Sequence, residues 1–399
     1  MRTINLLTLD TIQNFQCIMN ACEDNCCRNS GWTIAVDPAS YEKYKAMDNE
    51  TGKFILSCIE KKDDIIKMKE FDDGKCPLLV GDGLCLIHRD LGPEYLCITC
   101  SSYPKSMSYF DGRHEYWLSL SCPEVVRQVL YREETANILE VEIKSNLAGA
   151  EATNLHKEKS KIRKLLFEIA KCEKYSFMEK LIYMGLFMRS VSKLPKDGGF
   201  NQAIDEPIAI YCGNLGAKSI FGGLLNSLNS TDKENRTDIL LELSKLSATI
   251  AAPVKNIPKD MQNAPFYMLM ENFHNDVIND NAKKYLSAAF DRLIVPYVNE
   301  NPHVFNNYLM YVLLSSQFLM DTDDFAEAYA GFAGELCAML IFTAGLFHEN
   351  SALSHEDMVV SIYLFHRRIS HSKKLRTELA NMFMDSSLAS ILSVCAGIH

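Results

Sequence analysis

The sequence predicts a mainly α protein: an irregular, cysteine-rich N-terminal metal-binding domain followed by an all-α helical bundle. Three observations lead there. Ten of the fourteen cysteines fall between Cys17 and Cys122. The same stretch is broken by turn signals, among them "DDGKCP", "VGDGLC", "DLGPEY", "SSYPKS" and "FDGRH". Beyond it apolar residues recur at helical spacing, and from Thr237 onward no strand alternation interrupts them.

Taken in order, residues 1–125 form the cysteine-rich domain, too irregular to hold itself together by apolar burial alone. Its one good helix is "PASYEKYKAM", with Asp37 as cap and Pro38 in the first turn. Residues 126–195 read as a helical connector. A helix opens at "SCPEVVRQVLY", with Ser121 or Cys122 near the cap and Pro123 in its first turn. Ile162, Leu165, Leu166 and Ile169 then make an i, i+3, i+4, i+7 stripe, and Phe177, Leu181, Met184 and Met188 a second. Lys157, Lys159, Lys161, Arg163 and Lys164 form a basic face, expected to be solvated beside glutamates. Residues 196–236, rich in Gly, Asn, Ser and Pro, read as a linker or loop. Residues 237–399 form the helical C-terminal domain, with segments such as "TDILLELSKLSATIAA", "HVFNNYLMYVLLSSQFLM", "HEDMVVSIYLFHRRIS" and "KLRTELANMFMDSSLASILSVC".

The totals narrow the function classes. At 399 residues the chain exceeds one ordinary core, and 47% apolar residues exclude disorder as the main state. A net charge of −10 argues against nonspecific binding to nucleic acid or to an anionic membrane. The N-terminus has no apolar signal core, and "LCAMLIFTAGLF" is too short to span a bilayer, so neither secretion nor membrane insertion is expected. A cytoplasmic location follows as the expectation, where thiols stay reduced and a disulfide scaffold is not expected. Metal binding is then the leading reading of the cysteines.

Their pattern is Cys17-x4-Cys22-x3-Cys26-Cys27, then Cys76-P-L-L, Cys85-L-I-H, Cys97-I-T-Cys100-S-S-Y-P-K and S-Cys122-P-E. Thiolates are soft ligands suited to zinc or to iron–sulfur clusters. Only Cys97 and Cys100 have the CxxC spacing of a zinc ribbon, and the CxxxCxxC signature fails at Asn29. Other motifs are bland. "VGDGLC", Gly81 to Gly83, reads as a turn and not a nucleotide loop, and "GNLG" is equally weak. His88 reads as a locally hydrogen-bonded side chain. His348, His355, His366 and His371 lack paired zinc spacing.

In combination, "CIMNACEDNCC…W", "CPLL…GLCLIHRDLGPEYL…TCSSYPK" and "LSCPE" resemble the flagellin lysine-N-methylase family, within a wider group carrying a CxxCxxCC-type iron- or zinc-chelating domain. The resemblance is strong over residues 15–125. It implies a protein-lysine N-methyltransferase that moves a methyl group from S-adenosylmethionine to ε-amino groups of flagellin lysines, with a [4Fe–4S] cluster. Carried over by position, the metal-binding candidates are Cys17, Cys22, Cys26, Cys27, Cys76, Cys85, Cys100 and Cys122. Cys58 and Cys97 lie outside that pattern, and the Cys97/Cys100 pair reads as accidental. Lys105 stands where arginine is often found.

A lysine amine must be neutral to attack a sulfonium, and its ordinary pKa near ~10.4 keeps it protonated. Tyr103 is the first candidate to receive that proton, or else a packing tyrosine beside the cluster; Tyr95 and Tyr109 are weaker candidates. A second reading stays open: a non-enzymatic, metal-stapled module that binds a protein partner. The sequence sets neither the S-adenosylmethionine pocket nor the oligomeric state.

Overall fold

The structure is a computed structural model. It describes residues 2–28, 33–62, 65–69, 75–81, 83–145, 154–195, 200–220, 265–315 and 323–369, with a few isolated positions elsewhere. The expected helices at 237–250 and 374–395 lie largely outside the described residues.

The chain opens on β1 (Arg2–Leu9) and passes through short 3₁₀ turns, the last of which, Cys26–Arg28, carries Cys26 and Cys27. A helical pair follows, α1 (Pro38–Lys45) and α2 (Glu50–Ser57), then a hairpin of β2 (Ile59–Lys62) and β3 (Ile65–Met68). The expected cap of α1 is present: Asp37 accepts from the Ser40 N–H at 2.9 Å and Pro38 stands in the first turn. Next come α3 (Ile98–Ser102), β4 (Lys105–Phe110), β5 (Arg113–Leu118) and α4 (Pro123–Val125), which runs on as a π-helical turn to Leu130. β6 (Ile138–Ser145) completes the first part.

One four-stranded sheet, ordered β4-β5-β1-β6, corrects the expectation of an irregular domain followed by helices alone. β1 runs parallel to β5 and antiparallel to β6, so strands from both sides of residue 125 share it. The β4–β5 turn is Asp111-Gly112, both with positive φ, which matches the right-handed twist of the flanking strands.

The rest is helical: α5 (Asn154–Lys171), α6 (Phe177–Ser192), α7 (Phe200–Ala203), α8 (Asp205–Gly213), α9 (Pro265–Ile278), α10 (Leu286–Ala289), α11 (Val295–Glu300), α12 (Pro302–Ser315), α13 (Phe325–Leu346) and α14 (His355–Ile369). Both predicted stripes face the core, and Ser176 with Glu179 forms a full capping box on α6. Helices α7 and α8 occupy the stretch expected to be a linker, and α9 was not anticipated. Helix α13 is long and apolar enough to cross a membrane, yet 89% of its most apolar window is buried among other helices.

Among the described residues two apolar cores result. The larger joins β1, β5 and α4 to the helices, running from Leu7 to Ile369. The smaller, built from Val36, Tyr44, Ile55, Cys58, Ile59, Met68, Leu78, Ile87 and Cys97, lies wholly within residues 34–100. Cys58 and Cys97 lie in the smaller core with Cys76, Cys85 and Cys100 packed against it, while Cys122 belongs to the larger.

Candidate functional site

The adjacent pair Cys26–Cys27 sits in a 3₁₀ turn rather than an extended strand, which frees the two thiols from pointing to opposite sides. Asn25 shapes this turn: its Oδ1 accepts from the Cys27 N–H at 2.7 Å, and its Nδ2 donates to the Gly83 carbonyl at 2.9 Å. The Cys76 N–H donates to the Cys27 carbonyl at 2.8 Å. Leu79 and Cys85 pair as an isolated β-bridge around Gly83, whose φ of 79° is the left-handed geometry glycine permits. "VGDGLC" is thus a turn, and it docks on the first cysteine loop.

Three segments therefore bring four thiols together. The Cys27 thiol lies against those of Cys26, Cys76 and Cys85, and retaining the proton among these sulfurs holds Cys27 above its ordinary pKa. The same contact lowers Cys26 and Cys76 and takes Cys85 down to about 6. Backbone N–H groups help: those of His88 and Ile87 point at the Cys85 sulfur, and that of Leu78 at Cys76. In "CLIH" and "CPLL" the cysteine thus heads a turn whose free N–H groups favour a thiolate.

Cys97 and Cys100 stand beside this group. Their thiols hydrogen bond to each other, which lowers Cys97 to about 7 and raises Cys100. The contact is what the i, i+3 spacing across the first turn of α3 produces. Asp37 supports it from α1, accepting from the Ile98 N–H at 2.9 Å, while Thr99 donates to the Ala35 carbonyl at 2.7 Å. Cys58 is buried in the smaller core below Cys76.

Cys17, Cys22 and Cys122 form a different neighbourhood. Burial pushes Cys22 up to about 12, against the Asp24 N–H that donates to its sulfur. Burial likewise pushes Cys122 up to about 11, against the N–H groups of Val125 and Glu124 at the start of α4. Cys17 is exposed and close enough to Cys122 for their charges to interact. The eight positions thus fall into one group of four, Cys100 beside it, and a separate three. Among the described residues, no group of three or more His, Cys, Asp or Glu is set to hold a single metal ion.

Tyr103 lies between the two neighbourhoods, its charge environment set by Arg367, Cys122 and Cys26. Its hydroxyl meets Ser121 Oγ at 3.2 Å, and Ser121 Oγ meets Ser119 Oγ at 2.8 Å. Burial raises the Tyr103 phenol above its ordinary value. Tyr95 is tied into α1 through its carbonyl, which accepts from Tyr44 at 2.6 Å, and Tyr109 packs edge-on against His114. Two residues here escaped the sequence reading. Asp24 is buried beside the cysteine loop, and Arg367 on α14 bonds to it. Nothing local marks Arg367, one of two adjacent arginines on a helix.

Against known families, residues 163–396 match the model of the FliB lysine N-methylase C-terminal domain, more than half the chain. The chain belongs to the FliB lysine N-methylase family. Relatives extend the likeness beyond that domain. The FliB-family chain is 21% identical over 391 residues to the lysine-N-methylase of Salmonella typhimurium (strain LT2), covering 94% of each protein. The corresponding protein of Salmonella choleraesuis is equally similar. A flagellar biosynthetic protein FliU of Salmonella muenchen is 32% identical over 141 residues, 79% of its length and 33% of this one. No solved structure matches this FliB-family chain.

Proposed function

We propose that this protein is a lysine N-methyltransferase of flagellin, taking its methyl group from S-adenosylmethionine and holding a [4Fe–4S] cluster. The observation that carries the proposal is the convergence of Cys26, Cys27, Cys76 and Cys85 from three segments of a FliB-family chain. The donor set suits the group: four soft thiolates are what such a cluster takes, and three of the four are already lowered. When bound through these four thiolates, the cluster would close the loop between residues 27 and 76 and so brace the domain. The names of the relatives, a lysine-N-methylase and a flagellar biosynthetic protein, support lysine as the acceptor and a flagellar protein as its carrier. We place the protein in the reducing cytoplasm, where cysteine thiols stay available as ligands.

The chain's own residues then have definable work. The incoming lysine must lose a proton, which a desolvated setting favours by disfavouring the charged amine. Our candidate for that proton is Tyr103, a reading supported by its position between the cysteine groups and its hydrogen bond with Ser121. Burial keeps the phenol neutral, so Tyr103 accepts the amine proton only as it passes its own through Ser121 Oγ to Ser119 Oγ, which is partly exposed and hands it to solvent.

The decisive experiment incubates anaerobically purified protein, with its iron and sulfide measured, with flagellin and methyl-labelled S-adenosylmethionine. Label in flagellin lysines is expected, together with about four irons per chain. Cys27→Ser should lose both. No label with an intact cluster would sink the transferase reading and leave a protein that only binds its partner.

A further inference from the structure

The cysteine loops are gripped by one side chain from the far end of the chain. Arg367 Nε donates to the Ser121 carbonyl at 3.0 Å, Nη2 donates to the Asp24 carbonyl at 3.0 Å, and Nη1 pairs with Asp24 Oδ2. One guanidinium thereby holds both "CEDNCC" and "SCPE", while Tyr363 of the same helix stacks on its face at 4.8 Å. The Asp24 side chain is fully buried, and its Oδ1 has no hydrogen-bond partner. The charge on Asp24 is therefore compensated chiefly by Arg367.

We propose that Arg367 is a positioning residue through which the FliB C-terminal domain sets the Cys22–Cys27 loop and the Ser121–Cys122 turn. Without the guanidinium, Asp24 is left as a buried, uncompensated carboxylate and must leave its place. The loop moves with it, because the Asp24 N–H also donates to the Cys22 sulfur. The Ser121 turn loses its tie at the same time, and Ser121 is the group that the Tyr103 hydroxyl meets. Arg127, which bridges Glu23, Glu124 and Glu356 on the same side of α14, is a fitting control because its partners Glu23 and Glu356 are solvent-exposed.

This inference does not depend on methyl transfer or on a bound cluster, and its readout is amide hydrogen exchange in the full-length protein. Arg367→Met should speed exchange at least about tenfold in residues 17–28 and 119–124, leaving α6 and α13 unchanged. Arg367→Lys keeps a charge for Asp24 but lacks the planar fork, so it should restore the first segment more than the second. Asp24→Asn, nearly isosteric, should loosen 17–28 and decides the matter if Arg367→Met does not fold. Arg127→Ala should leave both segments protected. Unchanged exchange in both segments, or equal loss of protection throughout the molecule, would overturn the assignment.

Discussion

His366 shows how a single buried side chain ties stability to pH. Its ring is enclosed by α12 and α14, with Tyr308 at 3.1 Å from Nε2, and burial pulls its pKa down to about 3. Unfolding releases it to its ordinary value of about 6.5, where it binds a proton that the folded state refuses. Its contribution is thus fully present above pH ~6.5 and drains as pH falls toward 3, on the order of 5 kcal/mol at the limit. Glu335, 3.9 Å from Nδ1, would receive part of that charge and reduce the loss. Thermal midpoints between pH 7 and pH 4.5 should therefore fall more steeply in wild type than in His366→Gln; equal slopes would mean that the ring is charged or wet when folded. At this scale the sequence is an uneven guide. The cysteines announce themselves, and "CPLL", "CLIH" and "CPE" carry their turn chemistry within four residues. Asp24 and Arg367 do not, because their pairing spans 343 residues and only the fold brings them together.

At the scale of elements, the helices were legible because a 3.6-residue stripe needs only its own neighbours. The sheet was not. β6 does alternate, with Leu139, Val141 and Ile143 against Glu140, Glu142 and Lys144, but β1 carries no such pattern and its partners lie more than a hundred residues away. The basic face of α5 was also misread in part. Lys161 is exposed and paired with Asp205, but Lys159 is buried against Asp323, and Arg163 is buried in a two-bond pair with Glu115 of β5. Arg163 also lies over the Phe110 ring at 4.6 Å. A buried pair is weak evidence of net stability but costly to halve. Arg163→Met alone should therefore lower stability in urea by about 3–5 kcal/mol, by stranding Glu115. Adding Glu115→Leu should recover most of that loss. A double variant no better than the single would show that the pair holds β5 to α5 by more than charge compensation.

The whole molecule does not divide where its composition changes. Composition shifts near residue 125 and the family match begins at residue 163, yet the larger core runs through both points. Leu7 and Leu9 of β1, Trp117 and Leu118 of β5, and Val126, Val129 and Leu130 after α4 all pack in the same core as the helices. Asn307 makes the dependence polar as well as apolar. Buried on α12, it accepts from the Ala136 N–H at 2.7 Å and donates to the carbonyls of Leu130 and Arg132. Residues 163–396 expressed alone would expose that apolar face and leave Asn307 and Arg367 without these partners. Such a fragment should keep helical circular dichroism but lose cooperative unfolding, as a compact state without specific packing does. Supplying residues 1–145 should restore a single sharp transition. A fragment that unfolds cooperatively by itself would instead make the helices an autonomous domain, and the cysteine-bearing half an attachment to it.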